Sequence, residues 1–377
     1  VGVMIESVYI DNYKCFGNTE IDDLQSFNLL LGENGTGKTA FFEVLSRLKE
    51  LVIEEEKLDA ILPSTTLTRW ENRATQTFEL SIRGNGGLYK YRLEVEHDRD
   101  RDLRRVNVEK LTFDGNPLFD FQDGEVQLYR DDFSKGPAYP FDWGRSALAT
   151  IMPRHDNERL SWFKKRLANI HILRIEPFLM EGESKKEATA PSPGLENFPS
   201  WYRHVSQEHP QRQLQFFEDL EQSIAGFQQL RMPSDGGETR TMKFSIQHGP
   251  KDQDGKTIAP YTFDELSDGQ RAIVALYAIM RFTLREDVTL CIDEPENYLA
   301  LAEIQPWLLE LEMTCQDENA QSLLISHHPE LIDLLALEKG LWFSRSNVGP
   351  VRTSPVNVEE IGDISVSDFV ARGWVNE

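Results

Sequence analysis

A chain of 377 residues, 40% apolar and 27% charged, is long enough for a sizeable core in one large or two modest domains, and its composition excludes a disordered protein. Forty Lys and Arg stand against 63 Asp and Glu, a formal charge of −23 that is the wrong sign for coating DNA by phosphate neutralisation. The three cysteines, Cys15, Cys291 and Cys315, are too irregularly spaced for a disulfide framework or a zinc pattern. No stretch reaches about 18 apolar residues and no leader pattern opens the chain, so the expected location is the cytoplasm, with no membrane contact.

In chain order, Ile5 to Ile10 alternates like a strand, and Ser26-Phe27-Asn28-Leu29-Leu30-Leu31 becomes continuously apolar, as a buried parallel strand does. Phe41, Val44, Leu45 and Leu48 then recur at helical spacing. Residues 78–128 read as an antiparallel meander with Gly- and Asp-rich turns. From 155 to 232 the pattern is helical, interrupted over 181–200 by a Glu-, Lys-, Pro- and Ser-rich stretch that reads as a mobile loop. Strands are expected at 241–246, 288–292, 322–325 and 341–346, with a helix after Ser267. Two basic runs, Lys164-Lys165-Arg166 and 99–105, read as solvated faces. The expected organisation is lobe I over 1–154, a helical insertion over 155–240 and lobe II over 241–377.

Between the second strand and its helix lies Gly32-Glu33-Asn34-Gly35-Thr36-Gly37-Lys38-Thr39, a full match to G-x-x-x-x-G-K-[ST]. Glycines let successive N–H groups of Asn34, Gly35, Thr36 and Gly37 turn inward on phosphate oxygens, and the helix adds its positive end. Lys38 is expected on the β- and γ-phosphates and Thr39 on Mg²⁺. The strand Val288-Thr289-Leu290-Cys291-Ile292 ends in Asp293 and Glu294. The first carboxylate suits a metal ion and the second a general base beside the attacking water. Cofactors are therefore ATP and Mg²⁺.

Leu266-Ser267-Asp268-Gly269-Gln270 is read from its chemistry alone as the N-cap of a packed helix. It also resembles the L-S-G-G-Q signature of ABC ATPases, with Asp268 in place of one glycine, and lies before the Asp-Glu strand in that family's order. Ile10 to Phe16 looks like the short stretch that opens SMC- and RecF-like ATPases. Together these motifs resemble the ABC-type ATPases of the SMC/RecF/OLD group, including stand-alone prokaryotic members in phage-defence systems.

The resemblance implies an α/β head, with a P-loop mixed sheet, an antiparallel β lobe and an inserted helical subdomain. It implies head-to-tail homodimers around ATP·Mg²⁺, in which Ser267, Gly269 and Gln270 complete the opposite subunit's site. It assigns Lys14 to nucleotide contact, Gln76 to the metal and water, and the switch-histidine role to His327, with His328 as the alternative. After Asp293-Glu294-Pro295 the chain reads Glu296-Asn297-Tyr298-Leu299-Ala300, where the family usually ends in Asp, and this puts the cross-dimer contact there in question. The function implied is an ATP-driven switch on a separate effector, a nuclease or toxin in antiviral defence. The alternative is a RecF- or SMC-like DNA-repair ATPase that clamps DNA itself.

Overall fold

The computed structural model describes residues 2–249, 257–346, 349–356 and 366–371. It divides into two compact units, one of 1–171, 286–291 and 319–377, the other of 172–285 and 292–318. The far end of the expected lobe II, 372–377, lies outside the described residues.

The first unit opens with β1 (Met4–Asp11), β2 (Thr19–Ile21) and β3 (Phe27–Leu31), the last buried at every position. Helix α1 (Lys38–Val52) follows, burying Phe41, Phe42, Val44, Leu45, Leu48, Leu51 and Val52 on one stripe, and then the short α2 (Leu58–Ile61). The meander is β4 (Thr75–Gly84), β5 (Gly87–Asp98), β6 (Leu103–Phe113), β7 (Asn116–Gln122), β8 (Glu125–Tyr129) and β9 (Lys135–Pro140). It joins the first two strands in an eight-stranded sheet ordered β2-β1-β4-β5-β6-β7-β8-β9. Burial alternates along β4 residue by residue, the period-2 signature of a strand with one covered face.

Inside this sheet Glu109 is wholly buried, and burial raises its pKa against four donors that oppose the rise. Those donors are the Tyr91 hydroxyl (2.9 Å), the Ser146 hydroxyl and the N–H groups of Ala147 (3.0 Å) and Leu148 (3.4 Å), so the carboxylate ties residues 146–148 to the meander. Helix α3 (Glu158–Ala168) comes next. Of its Lys164-Lys165-Arg166 run only Lys165 is exposed. Lys164 Nζ donates to the carbonyls of Ala149 (2.6 Å) and Ile151 (2.9 Å), and Arg166 is 1% exposed, because α3 turns this side toward the core.

Strand β10 (Ile170–Leu173) leads into the second unit. There follow β11 (Glu183–Ser184), α4 (Phe198–Glu208), α5 (Pro210–Ser223), β12 (Phe227–Arg231), β13 (Arg240–Thr241), β14 (Lys243–His248), β15 (Thr257–Thr262) and α6 (Asp268–Thr283). The 181–200 stretch is tied by Arg174 N to Pro193 O (2.8 Å), Glu181 N to Glu196 O (3.2 Å) and Ala188 N to Ser200 O (3.0 Å), with Leu195 fully buried. Helix α6 is apolar on every face from Ala272 to Met280, as a central helix must be. Phe282 meets Trp201 and Phe216 edge-on, at centroid distances of 6.5 and 5.6 Å.

The chain continues through β16 (Thr289–Asp293), α7 (Leu301–Asp317), β17 (Gln321–Ile325), α8 (Pro329–Lys339), β18 (Gly340–Ser344) and β19 (Arg352–Pro355). The second sheet is ordered β10-β16-β17-β3-β18-β19. Strand β3 pairs in parallel with both β17 and β18, and β16 and β17 are buried at every residue. Parallel strands covered on both faces read as continuous apolar runs, as these do.

Candidate functional site

Strand β3 delivers the chain into a loop that only glycine can build at two points. Gly32 has φ 142°, and a Cβ there would lie 2.2 Å from the Phe343 carbonyl oxygen. Gly37 has φ 102°, and its Cβ would fall 2.9 Å from Cys15 Sγ and 3.1 Å from Phe16 Cζ. Thr36 Oγ1 donates to Glu33 O (2.8 Å), tightening the curl, while Asn34, Gly35 and Thr39 are exposed. Lys38 is buried within the loop, its Nζ donating to the carbonyls of Gly32 (2.6 Å) and Glu33 (3.0 Å). Helix α1 has no capping side chain and no acid in its first turn, so its N-terminal dipole is not neutralised locally.

In the second unit β16 ends at the buried Asp293. Glu294 follows with φ 53°, a left-handed conformation that costs a non-glycine residue about 1–3 kcal/mol and is typical of functional turns. Two donors reach its Oε2, Asn297 Nδ2 at 2.9 Å and Arg174 Nη2 at 3.4 Å. Ser267 caps α6 through a capping box: its Oγ accepts from Gln270 N (3.2 Å), and Gln270 Oε1 accepts from Ser267 N (3.0 Å). A Cβ on Gly269 would stand 2.8 Å from the Tyr298 carbonyl oxygen, so the start of α6 packs directly on the turn that follows Glu294.

The remaining expected residues lie on other elements. His327 is exposed just after β17, and His328 precedes α8, its N–H donating to Ser326 Oγ (3.1 Å). Lys14 pairs with Glu43 on α1 and sits beside the Cys15-Phe16 wall of the glycine loop. Gln76 does not suit a metal. It is fully buried in β4, where Nε2 donates to Asn12 O (3.0 Å) and Thr66 Oγ1 (3.1 Å), and Oε1 meets His97 Nε2 (2.9 Å). Both ends of the amide are committed, the nitrogen joining Asn12 to Thr66 and the oxygen facing His97 of β5. Arg174 and Asn297, the two residues that hold Glu294, carried no motif; the sole signal for Arg174 was a short apolar run ending in a cation.

Among the described residues no group of three or more His, Cys, Asp or Glu could hold a metal unaided. Mg²⁺ asks for less, since it keeps its waters and takes one or two hard oxygen donors plus phosphate. The Thr39 hydroxyl and the Asp293 carboxylate are donors of that kind. A buried lysine folded onto loop carbonyls at an uncapped helix start suits a polyphosphate.

A P-loop between a buried parallel strand and its helix, in a mixed sheet accompanied by an antiparallel eight-stranded sheet, defines an SMC/ABC-like ATPase head. The chain belongs to the family described as "AAA domain, putative AbiEii toxin, Type IV TA system", whose profile matches residues 27–333. Among solved structures it is similar to an SMC head bound to the C-winged helix domain of ScpA, at 12% identity and a TM-score of 0.53 over 94% of this chain and 98% of that one. It is also similar to the SMC head domain from Thermotoga maritima, at 15% identity and a TM-score of 0.48 over 94% and 99% of the two chains. No curated protein matches it. No helix among the described residues is long and apolar enough to cross a membrane.

Proposed function

We propose that this protein is an ATP-hydrolysing switch that closes head-to-tail with a second copy around ATP·Mg²⁺ and so controls a separate effector. The observation that carries the reading is the glycine loop, with Lys38 already drawn inside it and α1 opening uncapped behind it. Lys38 would donate charge-assisted hydrogen bonds to phosphate, and Asn34 to Gly37 would offer backbone N–H groups. Thr39 and Asp293 would hold Mg²⁺, which neutralises charge on the phosphate oxygens. Glu294 would take the proton of the attacking water, with His327 near the γ-phosphate. In this reading 1–154 and 241–377 supply the nucleotide machinery and 155–240 is the insertion.

The effector is read from the neighbours. The related SMC head is bound to a domain of another protein, ScpA, which favours a separate partner protein here, and the resemblance to stand-alone phage-defence ATPases makes a nuclease or toxin our choice of that partner. A RecF-like DNA clamp is weaker. Arginines 101, 104 and 105 are paired with Asp98, Asp102 and Glu96, so the most basic run is neutralised by its own neighbours.

Calorimetry and turnover test the assignment. Lys38→Ala should lose most ATP affinity, a buried charge-assisted hydrogen bond being worth about 1.5–3 kcal/mol. Glu294→Gln should bind ATP normally, turn over roughly 10²–10⁴-fold more slowly and accumulate as an ATP-held dimer in light scattering. Wild-type affinity in the first variant removes the P-loop assignment, and unchanged turnover in the second moves the base elsewhere.

A further inference from the structure

The Glu294 carboxylate is gripped by two side chains from outside the strand that leads to it. Its backbone is left-handed, which leaves the side chain's direction to whatever grips it. One grip is local, Asn297 Nδ2 at 2.9 Å across the turn. Another comes from a sequence position 120 residues away, Arg174 Nη2 at 3.4 Å, on the residue after β10. Both meet the same oxygen, Oε2. In the sheet β10 is the immediate neighbour of β16, so Arg174 leaves one strand next to where Glu294 leaves the other. The Arg174 backbone is anchored as well, its N–H donating to Pro193 O at 2.8 Å. The Arg174 side chain is 56% exposed against 27% for that of Glu294, and Glu176 lies 4.0 Å from its Nε.

We propose that Arg174 is the positioning residue of the hydrolytic base: it fixes the Glu294 carboxylate through Oε2 and steadies the 294–299 turn, which opens on the left-handed Glu294. A planar guanidinium suits the task, because its direction is set by the fork geometry and its charge never titrates near neutrality. The inference rests on Glu294 being the base. It assigns to Arg174 the polar contact beside the base that residue 76 does not provide.

The consequence is a split in kinetic constants. Arg174→Ala should lower kcat about ten- to a hundredfold, the scale of a misoriented reacting group, and leave KM and ATP affinity near wild type. Arg174→Lys, which keeps the cation, should recover most of the loss. In the Glu294→Gln background Arg174→Ala should change turnover less than twofold, since the group it positions is gone. Hydrogen exchange on the nucleotide-free protein supplies an independent reading: the amides of Asn297 and Leu299, which bond to the carbonyls of Glu294 and Glu296, should exchange faster in Arg174→Ala and not in Arg174→Lys. Wild-type kcat in Arg174→Ala, additive losses in the double variant, or unchanged exchange at those amides overturns the proposal. If Glu294→Gln itself turns over normally, the base assignment has failed, and that result is separate from any of these.

Discussion

His97 shows how far a single side chain can serve the architecture around a site. It is buried in β5, with Nε2 at 2.9 Å from Gln76 Oε1 and Nδ1 at 3.3 Å from the Ser64 hydroxyl. Because Gln76 spends its amide N–H groups on Asn12 and Thr66, its oxygen faces the ring and can only accept, so Nε2 carries the proton and Nδ1 accepts from Ser64. Burial, with Arg104 and Arg99 nearby, pulls His97 from 6.5 to about 4. The folded state thus binds fewer protons than the unfolded chain between those values, and the stabilisation present above pH 6.5 is lost as pH falls toward 4. Melting temperatures from pH 7.5 to 4 should fall more steeply in the wild type than in His97→Gln, which keeps an amide donor and cannot titrate. Parallel slopes would show that the acid sensitivity lies elsewhere.

At the level of helices and strands two arginines, Arg281 half-buried and Arg166 buried, look alike in sequence and differ in what surrounds them. Arg281 on α6 forks onto Asp219 of α5 (2.7 and 2.9 Å) and reaches Glu310 of α7 (2.7 Å), locking three helices of the second unit. Removing it leaves two carboxylates facing each other, so Arg281→Met should cost about 2–4 kcal/mol, a little below the loss for a fully buried pair because Glu310 is partly exposed. Arg166 on α3 bonds Thr289 Oγ1, while its Nε and Nη1 have no partner and burial pulls its pKa down to about 10. A desolvated cation so poorly compensated is a net burden on the fold. Arg166→Met, of similar volume and no charge, should melt at the wild-type temperature or above it. A large drop would mean that the bond to Thr289, and through it to Gln321 at 2.9 Å, fixes the start of β16 more firmly than the orphaned nitrogens cost.

For the whole molecule, the test is whether one copy completes another. Ser267 caps α6, so a bulky replacement would confuse helix loss with lost phosphate contact. Ser267→Asp avoids this, because Asp is as good an N-cap and puts an anion where a partner's phosphate would come. It should keep its melting temperature, bind ATP and fail to hydrolyse it. Mixed with Lys38→Ala, it should regain part of the activity, since one site of the mixed dimer pairs an intact P-loop with an intact signature. Two inactive variants that stay inactive together, or a Ser267→Asp protein that hydrolyses ATP at the wild-type rate, would leave Ser267 as a helix cap and nothing more.

Local chemistry made much of this protein legible in advance. Gly32 to Thr39 announced itself because φ values of 142° and 102° and the absence of a Cβ are demands on single residues. Strands β3, β16 and β17 were visible as apolar runs because both their faces are covered, and the meander because only one is. What stayed hidden depends on residues far apart in the chain. Gln76 looked available for a metal until Asn12, Thr66 and His97 closed on both ends of its amide. Arg166 read as part of a solvated run until α3 turned it inward. Arg174 and Glu294 meet only because the sheet sets β10 against β16. Composition and periodicity report what one residue requires of its own backbone and its own face, so they determined the P-loop and the strands. Which polar groups meet in the interior is a matter of long-range pairing, and the tertiary structure alone decided it.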